Sequence, residues 1–183
     1  MDITDIVAPP ECKREFGSPS DWSLVEGIIE MKLPKDFKWL INCYGTGCFS
    51  KFIYPLSPFA PFKTSLNMLS GETKQLLSAY AAGQKEFPQY APPFPVYPKE
   101  SGLFPWAITI NGDTLFWLRE GACEHWTVVI CDSKFSEEYD HIKLNSTGFL
   151  CRWILGEITP NVFPQGEPLP ERVFVPYSAS IAS

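Results

Sequence analysis

Cys123 and His125, two residues apart, are the closest cysteine-histidine pairing in this chain. On a strand they would share a face, the superficial requirement of a thiol-imidazole pair. The same geometry argues against catalysis, because side chains at i and i+2 stand side by side rather than within hydrogen-bond reach. Cys123, His125, Cys131 and His141 have the ligand types of a zinc site but none of its familiar spacings. Asp113 follows an Asn-Gly pair, where a carboxylate serves a turn by accepting backbone hydrogen bonds more readily than it acts as a catalytic acid. Gly45-Thr46-Gly47 lacks the lysine of a phosphate loop and follows a helical stretch, the reverse of the strand-loop-helix order that cradles a nucleotide. No catalytic, cofactor-binding or metal-binding residue is assigned.

What remains is a set of carboxylates. Glu120, Glu124, Asp132, Glu137, Glu138 and Asp140 cluster around an apolar stretch at 126–131, with Tyr139 or Trp126 as an aromatic anchor if exposed. A solvated loop is their ordinary role, and burial is the ordinary role of Trp126, which begins an alternating apolar face. As a contact surface they would suit a partner with a basic face, and neutralising Glu137, Glu138 and Asp140 together should then slow association without lowering thermal stability. The net charge of -6 and pI near 5.0 argue against nucleic-acid or anionic-membrane partners. No apolar run approaches the ~20 residues of a membrane-spanning helix. The six cysteines show no Cys-x-x-Cys pair, as expected of reduced thiols. Met1-Asp-Ile-Thr-Asp-Ile lacks the basic start and apolar core of a secretory signal, so a cytoplasmic location is expected.

The elements that position these residues are organised around residues 105–117, where Asn111-Gly112 lies between alternating apolar residues, a strong hairpin signal. A two-residue turn with positive φ at both Asn111 and Gly112 pairs Ile108 with Leu115 and Trp106 with Trp117. That register places Trp106, Ile108, Leu115 and Trp117 on one face, and Ala107, Thr109, Thr114 and Phe116 on the other. Residues 126–131 alternate as a further strand, 48–54 read as a strand, and 141–144 and 173–175 as brief ones.

Ser18-Pro19-Ser20-Asp21 supplies a capping box for a helix over 19–31. Pro34 and Asp36 open a second, over 34–44, with Phe37, Leu40, Ile41 and Tyr44 on one stripe and a Tyr44-Gly45-Thr46-Gly47 reversal through left-handed glycines after it. A third is expected over 65–83, where Ser70-Gly71-Glu72 can divide the region and act as a new cap, and a last over 146–155, capped by Asn145 or Ser146 and stopped by Gly156. Residues 87–98 interleave five prolines with aromatics. They suit an extended segment pinned to the surface better than a ligand for a proline-recognition domain, which would be more polar. The expectation is one α+β domain over 1–183: a twisted, mostly antiparallel sheet packed by about four helices. Its core spans about 22–156, after a lead-in at 1–17 and before a proline-rich extension at 157–183.

Leu33-Pro34 opening a helix that ends in Tyr44-Gly45-Thr46-Gly47, then Pro105-Trp106-Ala107 before Asn111-Gly112-Asp113 and the strand bearing Trp117, then Phe149-Leu150 on a late helix, together resemble the SUKH superfamily. Ala107 stands where the family often has glycine. The resemblance covers about 22–156 and implies the fold above. It also implies function: bacterial members are chiefly immunity proteins encoded beside polymorphic toxins, and the eukaryotic branch includes regulators of cell-wall assembly and glucan synthesis. It carries no catalytic residues. The expectation is a non-enzymatic immunity protein that neutralises a cognate toxin domain, a nuclease among the candidates. The alternatives are a regulatory scaffold of the cell-wall type and, remotely, an enzyme using Cys123 and His125.

Overall fold

The computed structural model describes residues 2–11, 17–135, 139–166 and 168–177. Helix α1 (Pro19–Ile28) starts where the capping box places it: Ser18 Oγ accepts from Asp21 N at 3.2 Å, and Ser18 N donates to the Asp21 carboxylate at 2.9 Å. Helix α2 (Lys35–Tyr44) buries Phe37, Leu40, Ile41 and Tyr44; Pro34 occupies its cap position, one residue before the helix, and Gly45 at φ 72° ends it. Gly47 was expected in a left-handed conformation and is not. It lies in strand β1 (Gly47–Phe49), where a Cβ would fall 2.5 Å from Val175 O and against the Phe174 ring. Glycine is needed there for close approach of two strands. The expected single strand at 48–54 is instead a hairpin. Ser50 and Lys51, both at positive φ, turn β1 back into β2 (Ile53–Pro55).

Helix α3 (Gly71–Glu86) starts not at 65 but after Ser70, the cap that divides the expected region. Leu66 and Leu69 have helical spacing with Leu76 and Tyr80, but Asn67 holds its surroundings in turns, its amide donating to the carbonyls of Pro58 and Ala60 and its oxygen accepting from Leu69 N at 2.8 Å. Residues 87–98 are pinned as expected. Tyr80 Oη and Gln84 Nε2 donate to Pro92 O at 2.9 and 2.7 Å, and Tyr97 Oη reaches Ile29 O at 2.9 Å.

The central hairpin joins β3 (Leu103–Thr109) to β4 (Thr114–Leu118), and its register differs from the expectation. Gly112 N donates to Thr109 O at 3.0 Å and Thr109 N to Asp113 O at 2.9 Å, enclosing three residues, Ile110, Asn111 and Gly112. Only Gly112 has positive φ (91°); Asn111 does not. This is a three-residue loop closed by a left-handed glycine, so Ile108 pairs with Thr114 and Ala107 with Leu115. A bulge between Pro105 and Ala107 then leaves Trp106 without a partner on β4 and brings Phe104 opposite Trp117. Trp106 and Ala107 are both fully buried in the same core cluster, and Ile108 is left half-buried.

Strands β5 (Thr127–Cys131), β6 (Asp140–Ile142) and β7 (Phe174–Pro176) complete a seven-stranded sheet of order β6-β5-β4-β3-β2-β1-β7, antiparallel between every neighbouring pair. Helix α4 (Ser146–Ile154) is capped by Asn145, whose Oδ1 accepts from Gly148 N at 2.9 Å. On one face, α1, α2 and α4 cover Trp106, Leu115, Trp117, Trp126, Val128 and Ile130. Phe37 meets Trp117 edge to face at 4.8 Å, and Trp117 Nε1 donates to the buried Ser146 Oγ at 2.8 Å. On the other face, Tyr80 of α3 covers Leu103, Phe116, Leu118, Val129 and Cys131. Tyr44, Phe49 and Phe174 form a triad with centroids 4.8 to 5.1 Å apart, which ties β7 into the first core.

Candidate interaction surface

The described carboxylates among those singled out in the sequence sit on different elements. Glu120 and Glu124 lie between β4 and the start of β5, and Asp132 follows the end of β5, beside the Asp113 turn. Glu120 is exposed. Glu124 accepts from Lys35 N at 3.1 Å, serving the first turn of α2. Asp132 is buried and accepts from Lys134 N at 3.0 Å. Asp140 accepts from Asn161 Nδ2 and Val162 N, both at 3.0 Å, and so holds the chain that follows α4. Tyr139 is half-buried with its ring edge-on to Phe94 at 6.1 Å, and Trp126 is buried in the core. Glu137 and Glu138 lie outside the described residues.

Cys123 and His125 fall on a single 3-10 turn, Cys123–His125, not on a strand. Burial, reinforced by the Glu124 charge, pushes the Cys123 thiol up, the opposite of nucleophile activation. His141 Nε2 lies 2.9 Å from Thr127 Oγ1, and burial lowers its affinity for a proton. Among the described residues no three His, Cys, Asp or Glu side chains come together as a metal site. Asp113 serves its turn, accepting from Thr109 Oγ1 at 2.8 Å and Ser133 N at 3.4 Å, and burial raises its carboxyl.

Two further features have no signal in local sequence. Glu26, 6% exposed, accepts from Lys32 Nζ at 2.6 Å, Lys38 Nζ at 2.7 Å and Leu33 N at 3.1 Å; burial pushes its carboxyl up, but these donors outweigh it and hold it at about 2. Arg119 lies over the rings of Tyr97 and Trp126, 5.0 and 5.7 Å from their centroids. A cavity of about 660 Å³ with a mixed polar and apolar lining adjoins the start of α4, where burial raises the Asp36 carboxyl despite donation from Thr147 N at 3.0 Å and Thr147 Oγ1 at 3.3 Å. A more apolar groove of about 620 Å³ lies over β7, β1, β2 and β3.

A seven-stranded antiparallel sheet between three helices on one face and one on the other, closed on a core rich in tryptophan, defines a single α+β domain of the SUKH class. The sequence model of the SUKH_6 family, described as SMI1-KNR4 cell-wall, matches residues 19–150, from the start of α1 into α4, and the chain belongs to that family. Proteins of this kind are generally non-catalytic immunity or regulatory proteins that act through protein contacts. The comparison with curated proteins matches none, and the comparison with solved structures matches none. No helix among the described residues is long and apolar enough to cross a membrane.

Proposed function

We propose that this chain is a non-enzymatic, cytoplasmic immunity protein that binds and neutralises the toxin domain encoded beside it, with a basic face of that toxin meeting its acidic surface. The observation that carries this reading is the family match over 19–150, which spans the sheet from β1 to β6. The net charge of -6 supports it, because a toxin that acts on nucleic acid carries a basic surface and is drawn to an acidic blocker. The raised Cys123 thiol supports a non-enzymatic role. Contact falls to the exposed Glu120 and to Glu137 and Glu138, with Tyr139 beside them. Glu124, Asp132 and Asp140 already accept structural hydrogen bonds.

The structure therefore changes the test. Neutralising Asp140 would release Asn161 and Val162, so the informative variant is Glu120→Gln, Glu137→Gln, Glu138→Gln. Co-purification with the neighbouring gene product should give a stable complex whose association slows with salt, and the triple variant should slow it as strongly without changing the melting temperature. Association that ignores both salt and the variant would remove the acidic surface from the account. The second reading, a regulatory scaffold, is favoured by the cell-wall description of the matched family. A gene with no toxin neighbour, in a genome with a glucan cell wall, would support it.

A further inference from the structure

Helix α3 covers the sheet's second face only over β3, β4 and β5, where Tyr80 packs on Leu103, Phe116 and Val129. Toward β2, β1 and β7 that face opens into the 620 Å³ groove. Its lining includes Tyr54, Ile108, Leu66 and Val175, with Ile110, 63% exposed, from the β3–β4 turn. Its charges are of one sign. Lys51 and Lys63 line it and no carboxylate does, in a chain with 21 acidic residues against 15 basic ones. Lys51 is paired with Glu171, and Lys63 makes no ion pair among the described residues.

One wall comes from β7, outside the stretch that the family model matches. The groove is thus assembled partly from a segment beyond the family match, with Val175 and Pro176 among its lining.

We propose that this groove is the docking surface for an apolar segment of the protein partner that carries a carboxylate, the apolar side chains lying on Tyr54 and Ile108 and the carboxylate falling at Lys63. The proposal rests on the reading of the chain as a protein binder and names a second contact, away from Glu120. An apolar occupant gains from covering Ile110 and Val175, and the lysine sets its polarity, since a basic segment would leave two like charges facing each other. The net charge of -6 disfavours an acidic segment overall, and the lysine-lined groove without carboxylates is where one fits.

The test uses the full chain with two probes: anilinonaphthalene sulfonate, which is apolar and anionic, and the recombinant product of the neighbouring gene. The variants are Ile110→Asp and Lys63→Glu, both at exposed positions; aspartate suits a turn, so folding is retained. Leu169→Ser, in the adjacent groove on the far side of Ile110, is the control. The wild type should give saturable fluorescence that the gene product displaces. Ile110→Asp and Lys63→Glu should each weaken binding of both probes about tenfold or more, and Leu169→Ser should leave both unchanged. A gene product that binds the wild type and every variant equally well overturns the groove and leaves the function standing. A wild type that does not bind it overturns the function and the occupant together. A dimer of the chain alone that Ile110→Asp dissociates makes the occupant a second copy and overturns the proposal.

Discussion

Replacing Glu26 with glutamine should expose how the loop between the first two helices is held. The carboxylate is 6% exposed and receives three donors, from Lys32, Lys38 and Leu33 N. Its pKa falls from 4.5 to about 2. At about 1.4 kcal/mol per unit that shift corresponds to a ceiling of ~3 kcal/mol. Lys32 is 75% exposed, so water screens its share, and a contribution of roughly 1–2 kcal/mol is what remains. Glutamine keeps an acceptor for Leu33 N but turns an amide toward two ammonium groups. Glu26→Gln should therefore lower the melting temperature by about 3–6 °C at pH 7. The pH dependence identifies the cause. A carboxyl depressed in the folded chain stabilises it fully above its unfolded pKa, and that stabilisation is lost as pH falls from 4.5 through about 2. Thermal melts by circular dichroism from pH 7 to pH 2.5 should show wild type and variant converging below pH 4.5. A constant gap across that range would refute the ion-pair account and assign the loss to packing.

Gly112→Val should cost ~1–2 kcal/mol in urea denaturation, because a β-branched residue resists the observed φ of 91°, although its Cβ would meet only ordinary contact with Ser133 at 3.6 Å; an unchanged midpoint would mean that the loop refolds into another turn. Gly47→Ala should destabilise by about 1–3 kcal/mol, since its Cβ would meet backbone at Val175 O, and hydrogen exchange should show β7 opening before the rest of the sheet. Ser146→Ala should cost roughly 1–3 kcal/mol by leaving the buried Trp117 indole N–H without its acceptor, and a neutral result would show that water or another group replaces the hydroxyl.

Legibility in the sequence followed the range of the interaction. The α1 cap, the α2 stripe and the α4 cap rest on residues within one or two turns of each other, and all three appear where the sequence places them. The central hairpin was legible as a hairpin but not in register. Asn-Gly suits both a two-residue turn and a three-residue loop with glycine last, and the bulge at Trp106 leaves no trace in a simple alternation. Leu66 and Leu69 mimicked the start of α3 because helical spacing does not reveal that the Asn67 side chain occupies the surrounding backbone. The brief 173–175 piece was seen as a strand, but its pairing with β1, and hence one wall of the groove, depends on contacts more than 120 residues apart. The acidic residues were adjacent in sequence and were read as one surface. Strand β5 runs between Glu124 and Asp132, and Glu124, Asp132 and Asp140 accept hydrogen bonds from backbone donors.

The central claim, that this chain protects by binding and not by chemistry, is tested most directly by growth of a host that expresses the neighbouring toxin domain with and without it. Wild type should restore growth, and the Cys123→Ser, His125→Ala double variant should restore it equally, since Cys123 only packs at the edge of the core and His125 is exposed on a 3-10 turn. Failure of the wild type to restore growth, or loss of protection in the double variant alone, would contradict the account.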